Sequence, residues 1–373
     1  LVAANECTGA GDSNAELVSF DSTTLASTGV IGGPATQLNV SHDARVAVQD
    51  SGPNAGAIYT ANTWVDTITG YCAACTGNVL PSTQIPTGHP GLDGVQALYF
   101  SAGFVYTADS ATPAISIYRA PAAAATGTVQ PSSVARIIGK NAQLCGPASV
   151  VADLHGRIFV TNACSTVNVV TVYPGPGGIT GDYSPAPSLI IGVPGPCSSS
   201  TMCNPQQMVL DAANHLYVTN YGFSGDPFVA GSVMEFDASS GALLANMVGP
   251  DIHNPSGIAL DPSGNVVVLS NLTKNGQPEV AFFAPPPLQA NPNAPLSVTP
   301  INRISGPNTL IGNVTNDTPF PQLAVDKNAM VYINEFNDVL VFAAGASNDA
   351  SPYKVISGPA INGGTGIAIG GLP

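Results

Sequence analysis

Short apolar runs alternate with turn residues along the whole chain, and one run keeps returning in nearly the same form. At His215–Gly222 it reads "HLYVTNYG": bulky β-formers, then Asn and a turn. It recurs as "RIFVTNAC" (Arg157–Cys164), "AIYTANTW" (Ala57–Trp64), "FVYTADSA" (Phe104–Ala111), "MVYINEFN" (Met330–Asn337) and "LVAANEC" (Leu1–Cys7). Runs of this kind, bounded by Gly, Pro, Asn and Asp, predict short strands. A second apolar run with a fixed end accompanies them. Those ends are Asp50, Phe100, Asp153, Asp211, Asp261, Asp326 and Gly370, at intervals of 50, 53, 58, 50, 65 and 44 residues. Such a period is that of a propeller blade.

Each unit divides into four predicted strands. Strand A is the run with the fixed end, for example "SGIALD" at Ser256–Asp261. A tight turn such as "DPSG" (Asp261–Gly264) leads into strand B, the recurring run. Strand C follows, as in "VVTVYP" (Val169–Pro174), and then strand D, as in "ARIIG" (Ala135–Gly139). The chain opens inside a unit, with B, C and D strands over residues 1–33, and closes on a lone A strand at 365–370. Pairing the last strand with the first shuts the ring and hides its sheet edges. The prediction is therefore all-β: a seven-bladed propeller of four-stranded antiparallel blades, one domain over residues 1–373. The other blades cover about 34–90, 91–140, 141–195, 204–250, 254–308 and 318–360. The proline-rich stretch 285–300 is expected to leave the sixth blade as an extended excursion on the face opposite the strand-B Asn residues, unable to pair as strand.

Two motifs carry a family resemblance. "NPSGIALDPSGNVVVLSN" (Asn254–Asn271) and "LYVTN" (Leu216–Asn220) resemble units of the NHL-repeat and YVTN-repeat propeller family, over nearly the whole chain. The resemblance implies the fold. It leaves function open, because that family spans surface and adhesion proteins, sugar lactonases and an antibiotic-opening lyase.

Charge narrows the partners. Lys and Arg number 9 against 23 Asp and Glu, a net charge of −14, so no basic patch for nucleic acid or an anionic membrane can be assembled. No apolar run is long enough for a membrane-spanning helix, and no membrane insertion is expected. Seven cysteines leave an odd one. Cys145 precedes strand A and Cys164 follows strand B of one unit, so antiparallel pairing brings them to bridging range. Cys197 and Cys203 bracket a short loop. Cys72 and Cys75 bond to each other, leaving Cys7 a free thiol or bonded outside this chain, or, as the preferred reading, one of them bonds to Cys7 in the adjacent blade. Scarce charge and paired cysteines point to an extracellular, cell-surface or periplasmic site. The start at Leu1 fits removal of a targeting segment. Asn39, Asn271, Asn313 and Asn316 stand in sequons, which matter if the source glycosylates secreted chains.

Candidate chemistry follows from position in the repeat. Asn5, Asn62, Asp109, Asn162, Asn220, Ser270 and Glu335 close strand B in the successive units and predict a polar ring on one face. That ring reads either as turn capping, which Asn does through its own backbone, or as a ligand face. Glu6, Asp109 and Glu335 are its carboxylates, candidates for a structural cation such as calcium; no other cofactor is expected. Strand A lines the central channel, where Gln96, Gln207 and Gln322 recur and no carboxylate stands at that depth, against a lactonase-type metal centre. His42, His89 and His253 precede strand A on the ring face, near Asp43, Asp93 and Asp251, and are the acid–base candidates. His155 and His215 belong to the opposite hairpins and are expected to be exposed. No phosphate-binding loop, GxSxG elbow or HExxH is present. The expected function is a non-catalytic binding or structural module for a protein or glycan. The alternative is a propeller lyase or lactonase that uses the ring face.

Overall fold

Alternating apolar runs and Gly, Asn and Asp turns produce short strands throughout; the described residues otherwise hold only three one-turn 3-10 helices. The computed structural model describes residues 2–4, 15–21, 24, 26–38, 45–49, 54–62, 67–85, 94–120, 133–164, 167–175, 180–195, 197, 201–222, 231–271, 278–312, 322–335, 338–357 and 366–369. The first sheet holds β1 (Val2–Ala4), β2 (Glu16–Phe20) and β3 (Ser27–Gly32). In the second stand β4 (Arg45–Val48), β5 (Ile58–Asn62), β6 (Thr67–Tyr71) and β7 (Thr83–Ile85). The third has β8 (Val95–Ser101), β9 (Phe104–Asp109), β10 (Ala114–Arg119) and β11 (Ser133–Ile138). In the fourth are β12 (Pro147–Ala152), β13 (Ile158–Cys164), β14 (Val167–Tyr173) and, after a short β15 (Gly181–Tyr183), β16 (Leu189–Ile191). The fifth comprises β17 (Pro205–Leu210), β18 (His215–Asn220), β19 (Ser232–Asp237) and β20 (Leu243–Val248). The sixth runs through β21 (Pro255–Leu260), β22 (Val266–Ser270), β23 (Glu279–Phe283) and, past a two-residue β24 (Leu296–Ser297), β25 (Asn302–Ile304). Last come β26 (Gln322–Val325), β27 (Val331–Asn334), β28 (Asp338–Phe342) and β29 (Lys354–Ser357), and then β30 (Gly366–Ala368).

The chain is an all-β propeller of four-stranded antiparallel sheets. Its inner strands β4, β8, β12, β17, β21, β26 and β30 pack in succession, and β30 returns to β4. The closure read from the two ends is present: β1 pairs antiparallel with β30, Ala3 opposite Ile367.

Strand B is buried on both faces, which explains its run of bulky residues. In β18, Leu216 and Val218 enter the core between the fourth and fifth sheets, whereas Tyr217 enters the core between the fifth and sixth. Full burial of one such side chain contributes about 2–3 kcal/mol. The aspartates ending strand A form turns, as their position predicts. Asp153, Asp211, Asp261 and Asp326 each accept backbone N–H groups of their own hairpin. Asp50 lies outside the described residues.

Connections between strands C and D do more than the sequence reading allowed. Several cross to the preceding sheet and pair in parallel with its outermost strand: Gly77 with Ile31, β15 with β11, β24 with β20, and Asn348 with Ile304. Each strap covers an edge that would otherwise offer open N–H and C=O groups. The proline-rich excursion is one of them. It was expected to pair with nothing, yet Leu296 and Ser297 pair with Met247 and Val248, because no proline falls on those two residues. Three straps also cap the 3-10 turn that follows the covered strand. Asn78 accepts the N–H of Ala35, Ser184 that of Asn141, and Asp349 that of Asn308. The glycine opening each turn, Gly33, Gly139 or Gly306, has φ of 108, 93 or 138°, and an added Cβ would strike the capping side chain.

Three disulfides are formed: Cys72–Cys75, Cys145–Cys164 and Cys197–Cys203. Cys145 and Cys164 are bridged across the ends of β12 and β13, with 5.9 Å between Cα atoms. The preferred pairing of Cys7 with the "CAAC" segment is overturned, since Cys72 and Cys75 bond to each other across a tight turn in which the Cys75 N–H meets the Cys72 carbonyl. Cys7 itself lies outside the described residues.

Candidate functional site

The ring residues are buried. Asn62, Asp109, Asn162, Asn220, Ser270 and Glu335 are 0–7% exposed. Their side chains bond within the fold. Asn162 Oδ1 accepts the Cys145 N–H at 2.8 Å, while its Nδ2 donates to Thr171 Oγ1 at 2.9 Å and to the Val160 carbonyl. Asn220 repeats this with the Cys203 N–H and Ser232 Oγ, and Ser270 Oγ accepts the His253 N–H. Asn62 donates to Thr69, and Asp109 accepts the hydroxyls of Thr107 and Ser116. Each of these bonds stitches strand B to its own blade or to the segment entering strand A. Asn5 lies outside the described residues, as does Glu6.

The two described ring carboxylates stand in different blades. Asp109 ends β9 in the third sheet and Glu335 follows β27 in the seventh. Burial pushes the Glu335 carboxyl up to about 7, against the lowering effect of the Gly312 N–H. Among the described residues no three His, Cys, Asp or Glu side chains converge as a metal site.

The channel glutamines occupy the innermost strands and are half-buried. Gln322 Oε1 accepts the Ile367 N–H of the next inner strand at 3.0 Å. The reading of the lining as wholly neutral passed over Arg45, which stands on β4 and donates through Nε to the Gln96 carbonyl.

Of the histidine candidates, His42 and His89 lie outside the described residues. His155 is exposed. His215 is not simply exposed: its Nδ1 lies 3.0 Å from Glu235 Oε1 and 3.4 Å from Asp211 Oδ2. Glu235 also accepts the Tyr217 hydroxyl at 3.0 Å, and burial raises its pKa. This cluster sits at the strand A–B hairpin of the fifth blade, opposite the ring face.

His253 has company that the sequence did not show. It precedes β21 on the segment that also carries Asp251. Ser270 Oγ ties that segment to β22, donating to the Asp251 carbonyl and accepting the His253 N–H. Directly opposite Ser270 in the ladder is Glu279, the first residue of β23 and 2% exposed. Burial first, and the Asp251 carboxyl within hydrogen-bonding reach second, push the Glu279 carboxyl up to about 7. Ser305 bonds Glu279, and Arg303 on β25 reaches Asp251 at 3.3 Å. Glu279 Oε1 and His253 Nδ1 are buried atoms without a hydrogen-bond partner among the described residues. One rim of the sixth blade thus brings together two carboxyls, an imidazole, a guanidinium and two hydroxyls. Asp251 and His253 were singled out from sequence; Glu279 and Arg303 were not. An acid opening strand C was no distinguishing signal: Thr67, Ala114, Val167 and Ser232 open it in four blades, but Glu16 and Asp338 open it in the first and seventh.

No protein-family model matches the chain, and no curated protein does. Solved structures share the fold. The periplasmic gluconolactonase of Pseudomonas aeruginosa superposes with a TM-score of 0.62 at 15% identity, covering 98% of this chain and 97% of that one. A protein from Bacteroides uniformis provisionally named a 6-phosphogluconolactonase gives 0.63 at 12%, with 98% and 97% covered. Virginiamycin B lyase from Staphylococcus aureus gives 0.52 at 11%, with 82% and 83% covered.

Proposed function

We propose that the chain is a seven-bladed propeller enzyme working outside the cytoplasm that opens cyclic esters, as a lactone hydrolase or a lyase. The observation that carries this reading is Glu279. A buried carboxyl pushed up to about 7, on the rim to which Ser270 also ties the His253 segment, is what general acid–base chemistry at neutral pH requires. The fold neighbours named for gluconolactone hydrolysis and for lyase activity supply the reaction class. Three disulfides and a periplasmic neighbour support the compartment.

In the hydrolytic version, His253 takes a proton from a water that adds to the lactone carbonyl carbon. The ring C–O bond breaks, and Glu279 gives its proton to the departing oxygen. The proton on His253 then returns to Glu279 through solvent, leaving a hydroxy acid. The test is turnover of a panel of aldonolactones and cyclic depsipeptides. Glu279→Gln should lower kcat/KM by about 100-fold or more. Wild-type protein inert on every member of the panel would refute the reading.

A second reading, a non-catalytic binding module for a protein or glycan, is favoured by the amide-lined channel of Gln96, Gln207 and Gln322. Glycan-array binding abolished by Gln207→Leu, with no lactone turnover, would select it.

A further inference from the structure

Two carboxyls in contact raise the question of which one carries the proton. We propose that Arg303 is the positioning residue of the sixth-blade site: by pairing with Asp251 it keeps the proton of the two carboxyls on Glu279. This rests on the lactone-opening reading for its use, but not for its chemistry. Asp251 and Glu279 lie within hydrogen-bonding reach, and two carboxylates so close do not both ionise readily. Their surroundings are unequal. The Asp251 side chain is 13% exposed and faces the Arg303 guanidinium, itself 52% exposed, at 3.3 Å. Glu279 is the deeper of the two, and the Arg303 charge bears on it as well as on Asp251. Its neighbours are Asp251 from the segment before β21, Ser305 just past β25, Arg303 on β25 and Ser270 from β22. His253, two residues beyond Asp251, is held to the same Ser270.

The strand ladder makes the arrangement specific. Arg303 lies opposite Ala281 on β23, two residues from Glu279, so alternation sends its side chain to the same side of the sheet. A basic residue on strand D has a simpler reading too. Arg136 occupies the comparable strand of the third blade and pairs at 3.0 Å with Asp182, a strap residue 54% exposed. The Arg303 partner is different in kind: a shielded carboxyl that touches a second, buried one. A merely solubilising arginine would leave Glu279 unaffected.

The test follows the Glu279 carboxyl directly, by carbon-detected NMR of glutamate-labelled protein across pH 5–9, with Glu279→Gln assigning the signal. In Arg303→Gln the midpoint should rise by about one unit, because the pair loses its compensating cation; Arg303→Lys should restore about half of that. Asp251→Asn removes the like charge and should lower the midpoint instead. An unchanged midpoint in both Arg303→Gln and Asp251→Asn overturns the proposal. If Arg303→Gln does not fold, Asp251→Asn and Arg303→Lys carry the same decision. Turnover is read separately. A normal titration series without lactone turnover defeats the enzyme reading alone, whereas turnover with a flat series defeats the role given to Arg303.

Discussion

The buried asparagine of strand B gives a quantitative test of why "YVTN" recurs. Asn162→Ala removes an acceptor for the Cys145 N–H and a donor to Thr171 Oγ1 and the Val160 carbonyl, all at a position 0% exposed. A net hydrogen bond is worth about 1 kcal/mol, and a buried donor left without a partner costs about 1–3 kcal/mol. The Cys145 N–H and the Thr171 hydroxyl are the groups exposed to that penalty, so the expected loss is about 3 kcal/mol. An unfolding entropy of about 2.1 cal/mol/K per residue, applied to 373 residues, gives about 0.8 kcal/mol/K. The corresponding fall in Tm is about 4 °C. Differential scanning calorimetry at matched scan rate and intact disulfides measures it. Asn162→Ser keeps an acceptor, as Ser270 does in the sixth blade, and should lose about half as much. A fall of under about 1 °C for Asn162→Ala would mean that the recurrent residue does not hold the blade together.

Arg157 makes 2.7 Å contacts to Asp153 Oδ2 and the Ala238 carbonyl and a 3.0 Å bond to Asn214, clamping the fourth blade to the fifth. Arg157→Ala should cost about 3 kcal/mol by urea unfolding, and Arg157→Lys should recover less than half, since an ammonium cannot span the three acceptors. Removal of residues 365–373 takes away β30 and bares β1, so the truncated chain should aggregate on light scattering at concentrations where the full chain does not. Burial holds Glu335 near 7 when folded, against about 4.5 unfolded, so its contribution is complete below pH 4.5 and is lost as pH rises to about 7. Glu335→Gln should narrow the stability difference between pH 4.5 and pH 7.5; an undiminished difference would remove Glu335 as its source. Non-reduced peptide mapping should return Cys145 linked to Cys164 alone.

Sequence reading reached the fold because the repeat is written locally. Strand B of the fifth blade is legible in His215–Asn220 alone, and Asp153, Asp211, Asp261 and Asp326 repeat the turn chemistry at the end of strand A. The straps were not legible, since their residues match a strand of the neighbouring blade; Asn348 next to Ile304 is a relation between units, not within one. The candidate site failed for the same reason. Residue type marked Glu335 and Asp109 as interesting, but sheet geometry puts them in the seventh and third blades, Asp109 bonded to Thr107 and Ser116 of its own sheet and Glu335 buried against the Gly312 N–H. Asp251, Glu279 and Arg303 span 52 residues of chain, and only the ladder pairing Ser270 with Glu279 and Ala281 with Arg303 brings them to one rim. A polar residue repeated at the same place in each blade is most economically read as architecture, because the contact it makes is repeated as well. Chemistry specific to one blade has to come from contacts the other blades do not repeat, and Glu279 is set apart by the Asp251–Arg303 pair on its rim rather than by heading strand C, which Glu16 and Asp338 do too.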